Sequence, residues 1–141
     1  MTDMPTTNIF IVTNVFVALR DTNDSTHQKA LEIAKTLKEK TVRFYTSSDI
    51  IGETLTVLSR KLGKAIALDW YKDLQKSDIR EIFVDETIHQ KARSLFNKTR
   101  PKNISFIDCS SVVIMRENRI RFIFSFDEDF KSLGIRLQPT P

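Results

Sequence analysis

Residues 9–19 read Ile-Phe-Ile-Val-Thr-Asn-Val-Phe-Val-Ala-Leu, and the predicted fold rests on this stretch. The first four residues are apolar and rich in β-branched side chains, which predicts a central parallel strand covered on both faces. Two polar turn residues follow, and an apolar helical segment resumes after them. Because sites in open α/β sheets lie beyond the carboxyl ends of strands, Val12, Thr13 and Asn14 are candidate site residues.

The composition is that of a soluble globular protein. The chain has 141 residues, of which 40% are hydrophobic and 28% are charged. We therefore expect one domain over residues 1–141, with residues 1–8 as a flexible tail. The net charge of +4 mildly favours a polyanionic partner. Cys109 is the lone cysteine, and we see neither a signal peptide nor an apolar run of membrane-spanning length, so we expect a cytoplasmic protein without membrane contact.

Strand and helix patterns alternate along the rest of the chain. Further strands are predicted at residues 42–45, 81–84, 121–125 and 135–137. Helices are predicted between them, ending near residues 40, 62, 76, 96, 117 and 133. This alternation predicts an α/β fold with three layers, in which helices cover both faces of a central, mostly parallel sheet of four or five strands.

Acidic residues stand at or near the junctions where sites form in such a fold. Glu53 lies in the helix that follows the strand predicted at 42–45, and Asp108 lies in the first turn of the helix after the loop at 97–103. Asp127 and Asp129 directly follow the strand predicted at 121–125. Acids at the carboxyl ends of parallel strands can converge on one pocket, where they repel one another unless a cation lies between them. Hard oxygen ligands favour Mg²⁺ or Mn²⁺, ions that suit phosphodiester hydrolysis.

Each of these acids also has a purely structural interpretation. Asp108 completes a capping box with Ser105, and Asp127 is a suitable N-cap for the last helix. Glu53 can be a solvated helix residue, and Asp129 can serve as a first-turn residue that complements the helix dipole. The position after a strand, repeated along the chain, is what favours a site.

A basic segment precedes Asp108. It contains Lys98, Arg100 and Lys102 within the proline-broken loop predicted for residues 97–103. These side chains can bind RNA phosphates without reading sequence. A solvated loop with no binding role is an equally good interpretation.

Four segments together resemble the motifs of PIN-domain nucleases. Residues 11–19 resemble the opening motif, and Ser48-x-x-Ile51-x-Glu53 resembles the second. Ser105-x-x-Asp108 resembles the third, and residues 124–130 with Gly134 resemble the fourth. The order and spacing match over nearly the whole chain, and the length is similar to that of VapC-like toxins.

The resemblance implies a PIN-like α/β/α fold and a ribonuclease that depends on Mg²⁺ or Mn²⁺. It implies an RNA substrate, a cognate antitoxin protein as partner and a homodimer. Its acidic quartet maps to position 12 and to Glu53, Asp108 and Asp127, with the last three as metal ligands. Asp129 is an accessory acid in this mapping, and the supporting side chains are Thr13, Asn14 and Ser125.

Position 12 departs from the family pattern, because Val12 stands where the family has its most characteristic aspartate. A valine offers no oxygen ligand, so we expect impaired metal binding and hydrolysis. Three origins are open: a natural inactive relative, a deliberate inactivation, or a spontaneous change that removed toxicity. The retention of the other acids favours an altered copy of an active enzyme. The alternative is a catalytically inactive PIN module that binds RNA or a protein partner.

Overall fold

The computed structural model describes residues 5–138, and within them five strands form one parallel sheet. The strands are β1 (Thr7–Ile11), β2 (Val42–Ser47), β3 (Arg80–Ile82), β4 (Phe122–Phe124) and β5 (Arg136–Leu137). Their order across the sheet is β3-β2-β1-β4-β5, and every pairing is parallel. The predicted α/β class with a parallel sheet is confirmed.

Helices fill the connections between the strands. They are α1 (Thr13–Arg20), α2 (His27–Lys38), α3 (Ser48–Leu62), α4 (Lys64–Lys76), α5 (Glu86–Lys98), α6 (Phe106–Glu117) and a 3-10 helix (Glu128–Leu133). Helix α3 packs on α1, α4 and α6, and α5 packs on α6. Among residues 5–138, none of these helices combines the length and apolar character needed to cross a membrane.

The central strand β1 is covered on both faces. Ile9 and Phe10 are fully buried and Ile11 is 4% exposed, although consecutive strand residues point to opposite sides of a sheet. A smaller apolar cluster lies between α5 and α6 and contains Ala92, Ile104, Cys109 and Val113. Burial raises the pKa of the Cys109 thiol, which keeps it a packed apolar group rather than a nucleophile.

Local sequence signals fix the helix ends beside the sheet. The Ser47 hydroxyl accepts a hydrogen bond from the Ile50 amide at 3.1 Å and so caps α3. Helix α3 ends at Leu62, and Gly63 follows as its C-cap with a φ of 100°, a region that L side chains rarely adopt. That conformation lets α4 start at the next residue and lie against α3.

Several predicted boundaries are wrong by a few residues. Thr7 and Asn8 were assigned to a flexible tail, yet they belong to β1 and pair with Val42 and Arg43. The rest of the predicted tail includes residues 1–4, which lie outside the described residues. Val12 is the N-cap of α1 rather than the last strand residue, and Thr13 and Asn14 begin that helix instead of forming a turn. Parallel pairing with β2 and β4 fixes these boundaries, and no local signal encodes it.

Candidate active site

A cleft of about 420 Å³ opens at the carboxyl end of β1. Five of the residues that line it were selected from the sequence: Val12, Thr13, Asn14, Glu53 and Asp108. Three different elements supply them, because α1 begins directly after β1 while α3 and α6 pack against each other beside it. The parallel sheet thus brings together side chains that are up to 96 positions apart, from Val12 to Asp108.

Glu53 is held in place by a chain of hydroxyl groups. The Thr13 hydroxyl donates to Glu53 Oε1 at 2.5 Å and accepts a hydrogen bond from the Thr54 hydroxyl at 3.2 Å. Thr54 is fully buried, and Thr13 is 9% exposed. Because Thr13 uses one carboxylate oxygen, the second oxygen of Glu53 is left for another ligand. Glu53 is therefore a positioned cleft residue and not a solvated helix residue.

Asp108 has both of the roles that the sequence left open. One of its oxygens accepts from the Ser105 amide at 2.9 Å, and its own amide donates to the Ser105 hydroxyl at 3.0 Å, which completes a capping box. Burial raises the pKa of this carboxyl, and the charges of Asp127 and Glu53 raise it further, while the hydrogen bonds from Ser105 act in the opposite direction. The capping interaction orients a carboxyl that also faces the cleft.

A partly buried hydrogen bond joins the two helices that carry Glu53 and Asp108. The Ser110 hydroxyl donates to Asp49 Oδ2 at 2.9 Å, and Ser110 is fully buried. Asp49 lies one helical turn before Glu53, and Ser110 lies two residues after Asp108. This contact therefore fixes the spacing of α3 and α6 at the cleft. Sequence reasoning missed Asp49, although its spacing of four residues from Glu53 places both on one helix face.

The segment after β4 is attached to the start of α1. The Asn14 amide group donates to the Ser125 hydroxyl at 3.1 Å, and Asn14 Oδ1 accepts from the Phe126 amide at 3.2 Å. The Ser125 hydroxyl also accepts from the Asp127 amide at 3.0 Å. These contacts give Asn14 and Ser125 a positioning role. They hold Asp127 close enough for its charge to act on Asp108.

Asp127 and Asp129 are arranged mainly around their own helix end. Asp127 Oδ1 accepts from the Asp129 amide at 2.9 Å, so Asp127 caps the 3-10 helix as its structural interpretation predicted. The charge of Asp127 raises the pKa of the Asp129 carboxyl. Neither carboxylate is among the residues that line the cleft.

The carboxylates do not form a closed metal cage. Within residues 5–138 there is no group of three or more His, Cys, Asp and Glu side chains arranged to hold a metal ion. The basic residues of the 97–103 segment also lie apart from the cleft lining: Lys98 belongs to α5, and Arg100 and Lys102 are exposed in the loop. The structure thus brings Glu53 and Asp108 together around Val12 and leaves the other predicted residues outside the cleft.

Several cleft residues were not anticipated from the sequence. Lys61 lines the cleft together with Val57 and Glu53, and Phe126 lines it from the β4 side. The signal for Lys61 was its spacing of four and eight residues from Val57 and Glu53 on one helix face. Phe126 lies within residues 124–130, which resemble the fourth PIN motif, but its side chain was not itself selected as a site residue.

Comparisons with known proteins identify the family of this chain. The family model described as "PIN domain" matches residues 9–135. The "23S rRNA-specific endonuclease VapC20" of Mycobacterium tuberculosis is 27% identical over 126 residues, which cover 89% of this chain and 94% of that protein.

Solved structures show the same architecture. The crystal structure of M. tuberculosis VapC20, described as a Sarcin-Ricin loop cleaving toxin, has a TM-score of 0.82 at 27% identity and covers 90% of this chain and 95% of that one. VapBC2 from Rickettsia felis, bound to a DNA fragment from its promoter, has a TM-score of 0.65 at 15% identity over 93% of this chain and 97% of that one. FitAcB from Neisseria gonorrhoeae has a TM-score of 0.62 at 17% identity, and the match covers 92% of this chain and 95% of that one. At these lower identities the last two show the fold alone.

Proposed function

The chain belongs to the PIN-domain family, and from this we propose that it is a VapC-like endoribonuclease toxin whose activity is reduced by Val12. The observation that carries the proposal is the convergence of Glu53 and Asp108 on one cleft at the carboxyl end of β1. RNA is the proposed substrate, and hydrolysis of a phosphodiester bond is the proposed reaction. The likeness to a 23S rRNA-specific endonuclease supports both.

The cleft fits a hard divalent ion that is held largely through water. Mg²⁺ is commonly bound through one or two carboxylates together with substrate phosphates, and it keeps several of its waters. Glu53 and Asp108 provide two such carboxylates, each with one oxygen already used by a neighbouring group. Asp127 adds a negative charge nearby. When bound, Mg²⁺ or Mn²⁺ would lower the pKa of a coordinated water and neutralise charge on the reacting phosphate.

The protein groups around the cleft orient the acids. Thr13 fixes one oxygen of Glu53, and Ser105 fixes one oxygen of Asp108. Asp49 and Ser110 hold the two helices at a constant spacing. Asp129 lies on the 3-10 helix beside Asp127, and we assign it the accessory role that the PIN-domain resemblance implies. This preorganisation lets the carboxylates act without rearranging during the reaction.

Val12 is the reason to expect low activity. It is 4% exposed and lines the cleft with both carboxylates, so it occupies the place of a ligand without offering an oxygen. The loss of one negative charge weakens the attraction for a divalent ion. The same observation favours the second candidate function, a catalytically inactive PIN module that binds RNA or a protein.

Cleavage of RNA by Val12→Asp tests the proposal. A labelled RNA containing single-stranded and hairpin segments would be incubated with the unmodified chain, Val12→Asp and Val12→Asn, each with EDTA, MgCl₂ or MnCl₂. We expect Val12→Asp to cut faster than the other two, only with a divalent ion, and to lose that gain when Asp108→Asn is added. Equal cleavage by all forms contradicts an acidic site at position 12, and RNA binding without cleavage by any form favours the inactive module.

The proposed partners are an antitoxin and a second copy of the chain. The VapBC2 structure contains the same fold as this chain, and its name is that of a toxin–antitoxin assembly. This supports a protein partner for this chain. An antitoxin that enters the cleft would suppress the cleavage gained by Val12→Asp in proportion to its concentration. Multi-angle light scattering measures the molar mass in solution, which is expected to be that of a homodimer. A monomer mass at high protein concentration contradicts the proposed homodimer.

A further inference from the structure

One face of α3 forms a wall of the cleft along its length. Glu53, Val57 and Lys61 are spaced four residues apart, so they lie on the same side of the helix, and all three line the cleft. Eight residues correspond to about 12 Å along a helix axis. The cleft therefore has an acidic end at Glu53 and Asp108 and a second end at which Lys61 lies near the carboxylate of Asp24, with an apolar valine between the two ends.

An aromatic side chain from another segment also lines the cleft. Phe126 lines the cleft, and its backbone amide is fixed by Asn14 Oδ1 at 3.2 Å. The ring meets Phe124 edge-on at a centroid distance of 6.2 Å, and Phe124 is 1% exposed. The Lys29 ammonium lies 5.8 Å from the centroid of the Phe126 ring. A second cation thus stands beside an aromatic ring that is supported from the core.

The simplest structural role for Lys61 is to balance the charge of Asp24, which also lines the cleft. That role does not fully account for the placement of Lys61 in the cleft. The hydroxyl and amide of Thr26 are the main groups that lower the pKa of Asp24, and the charge of Lys61 contributes less. Lys61 belongs to none of the ion pairs formed within residues 5–138. Its ammonium therefore remains available to an anionic ligand.

We propose that Lys61 and Phe126 form a nucleotide subsite that binds single-stranded RNA beside the acidic end of the cleft. Lys61 binds a backbone phosphate, and Phe126 stacks on a base between that phosphate and the one that reaches Glu53 and Asp108. A stacked strand advances about 3.4 Å per nucleotide, so the separation along α3 corresponds to about three nucleotides, and to fewer in an extended strand. This subsite rests on the proposed ribonuclease function, and it sets a minimum length for the RNA.

Two variants and two matched controls test the subsite by RNA binding. Affinity for a labelled single-stranded RNA octamer would be measured in EDTA with the full chain, so that no cleavage is needed. Lys61→Gln is paired with Arg60→Gln, because Arg60 is the next residue of α3 and lines a different surface with Thr56 and Ser59. Phe126→Leu is paired with Phe83→Leu, because Phe83 is 70% exposed and lies outside the cleft.

Lys61→Gln is expected to raise the Kd about fivefold to tenfold and to lower the slope of log Kd against log salt by about 0.7. Phe126→Leu is expected to raise the Kd about fivefold to 100-fold, and Phe126→Trp is expected to retain binding, because any aromatic face stacks on a base. The two control variants are expected to bind within about twofold of the unmodified chain. Circular dichroism melting of each variant separates lost binding from lost folding.

Neutral linkages in the RNA locate the phosphate that Lys61 contacts. Octamers carrying one methylphosphonate at each position in turn would be bound to the unmodified chain and to Lys61→Gln. We expect the two proteins to bind equally when the neutral linkage replaces the phosphate that Lys61 contacts, because that contact is then absent from both complexes. This linkage is expected about two to three nucleotides from the cleavage position found with Val12→Asp.

Three results overturn the subsite. Equal binding by Lys61→Gln and Arg60→Gln overturns it while leaving the proposed ribonuclease function intact. RNA binding by neither the unmodified chain nor Val12→Asp overturns both proposals together. Loss of self-association in Lys61→Gln, with RNA affinity unchanged, assigns this end of the cleft to a second copy of the chain and also overturns the subsite.

Discussion

Val12→Asp is expected to make the thermal stability of this protein depend on divalent ions. Val12 is 4% exposed and lines the cleft with Glu53 and Asp108. Aspartate is close to valine in size, so the change introduces a charge with little change in shape. In the absence of a cation, the new carboxylate is poorly solvated and lies among like charges, which destabilises the folded state.

The size of the effect follows from the burial of position 12. Losing the burial of a valine side chain costs about 1.5 kcal/mol, and burying a polar group without a full set of partners adds about 1–2 kcal/mol. The total of about 3 kcal/mol corresponds to a Tm lower by about 9 °C, since 1 kcal/mol shifts the Tm of a chain of this size by about 3 °C. A ligand at 100 times its Kd restores about 2.7 kcal/mol, which is about 8 °C.

Differential scanning calorimetry in EDTA and in increasing MnCl₂ measures this dependence. The unmodified chain is expected to gain less than about 2 °C, since two carboxylates hold the ion weakly. Val12→Asn is the matched control, because it has the same shape as the aspartate variant without its charge. It is expected to lose stability in EDTA and to recover little in MnCl₂.

Equal responses to MnCl₂ by Val12→Asp and Val12→Asn would refute the reasoning. Such a result would mean that position 12 is not close enough to Glu53 and Asp108 to share a cation with them. A Val12→Asp chain as stable in EDTA as the unmodified chain would refute the burial argument on which the magnitude rests.

Three further predictions concern the groups that hold the cleft. The pKa of Asp108 is raised in the folded state, so its carboxyl contributes fully to stability at pH values below its ordinary pKa of 3.8. That contribution to stability is lost as the pH rises through the raised pKa. Urea unfolding at about pH 3.5 and pH 7 is therefore expected to show that Asp108→Asn gains stability relative to the unmodified chain at the higher pH. Ser110→Ala removes the hydrogen bond to Asp49 and is expected to lower the free energy of unfolding, measured in urea, by about 1–2 kcal/mol. Ser111→Ala is the control, because the buried Ser111 hydroxyl has no hydrogen-bond partner in the described part of the chain, and it is expected to leave the free energy of unfolding almost unchanged. Asp127→Ala removes the cap of the 3-10 helix and is expected to lower the Tm by an amount that corresponds to about 1 kcal/mol, while Glu128→Ala, at an exposed position, leaves the Tm unchanged.

The sequence alone determined the class of fold and selected two acids, Glu53 and Asp108, that the structure places in one cleft. A continuous apolar strand followed by a polar pair is a local signal, and so is the capping box of Ser105 and Asp108, which is observed. Glu53 could be selected because it follows the second predicted strand closely, and parallel strands bring such positions to one edge of the sheet. Asp108 lies 26 residues after β3, and its selection rested on its place in the first turn of a helix and on the resemblance of Ser105-x-x-Asp108 to a PIN motif. These inferences depend on periodicity, on spacing along the chain and on that resemblance, all of which are read from the sequence.

The tertiary structure alone decided which polar groups share the cleft. Lys61, Asp24 and Phe126 come from three separate elements, and only the packing of α3 against α1 and of the β4 segment against α1 brings them together. The same packing left Asp127 outside the cleft lining, although Asp127 belongs to the motif that follows the motif of Asp108. It also left the basic loop apart from the cleft, although that loop closely precedes Asp108 in the sequence. Distances between side chains on different elements depend on strand pairing and helix packing, and these arise from the whole chain rather than from any one segment.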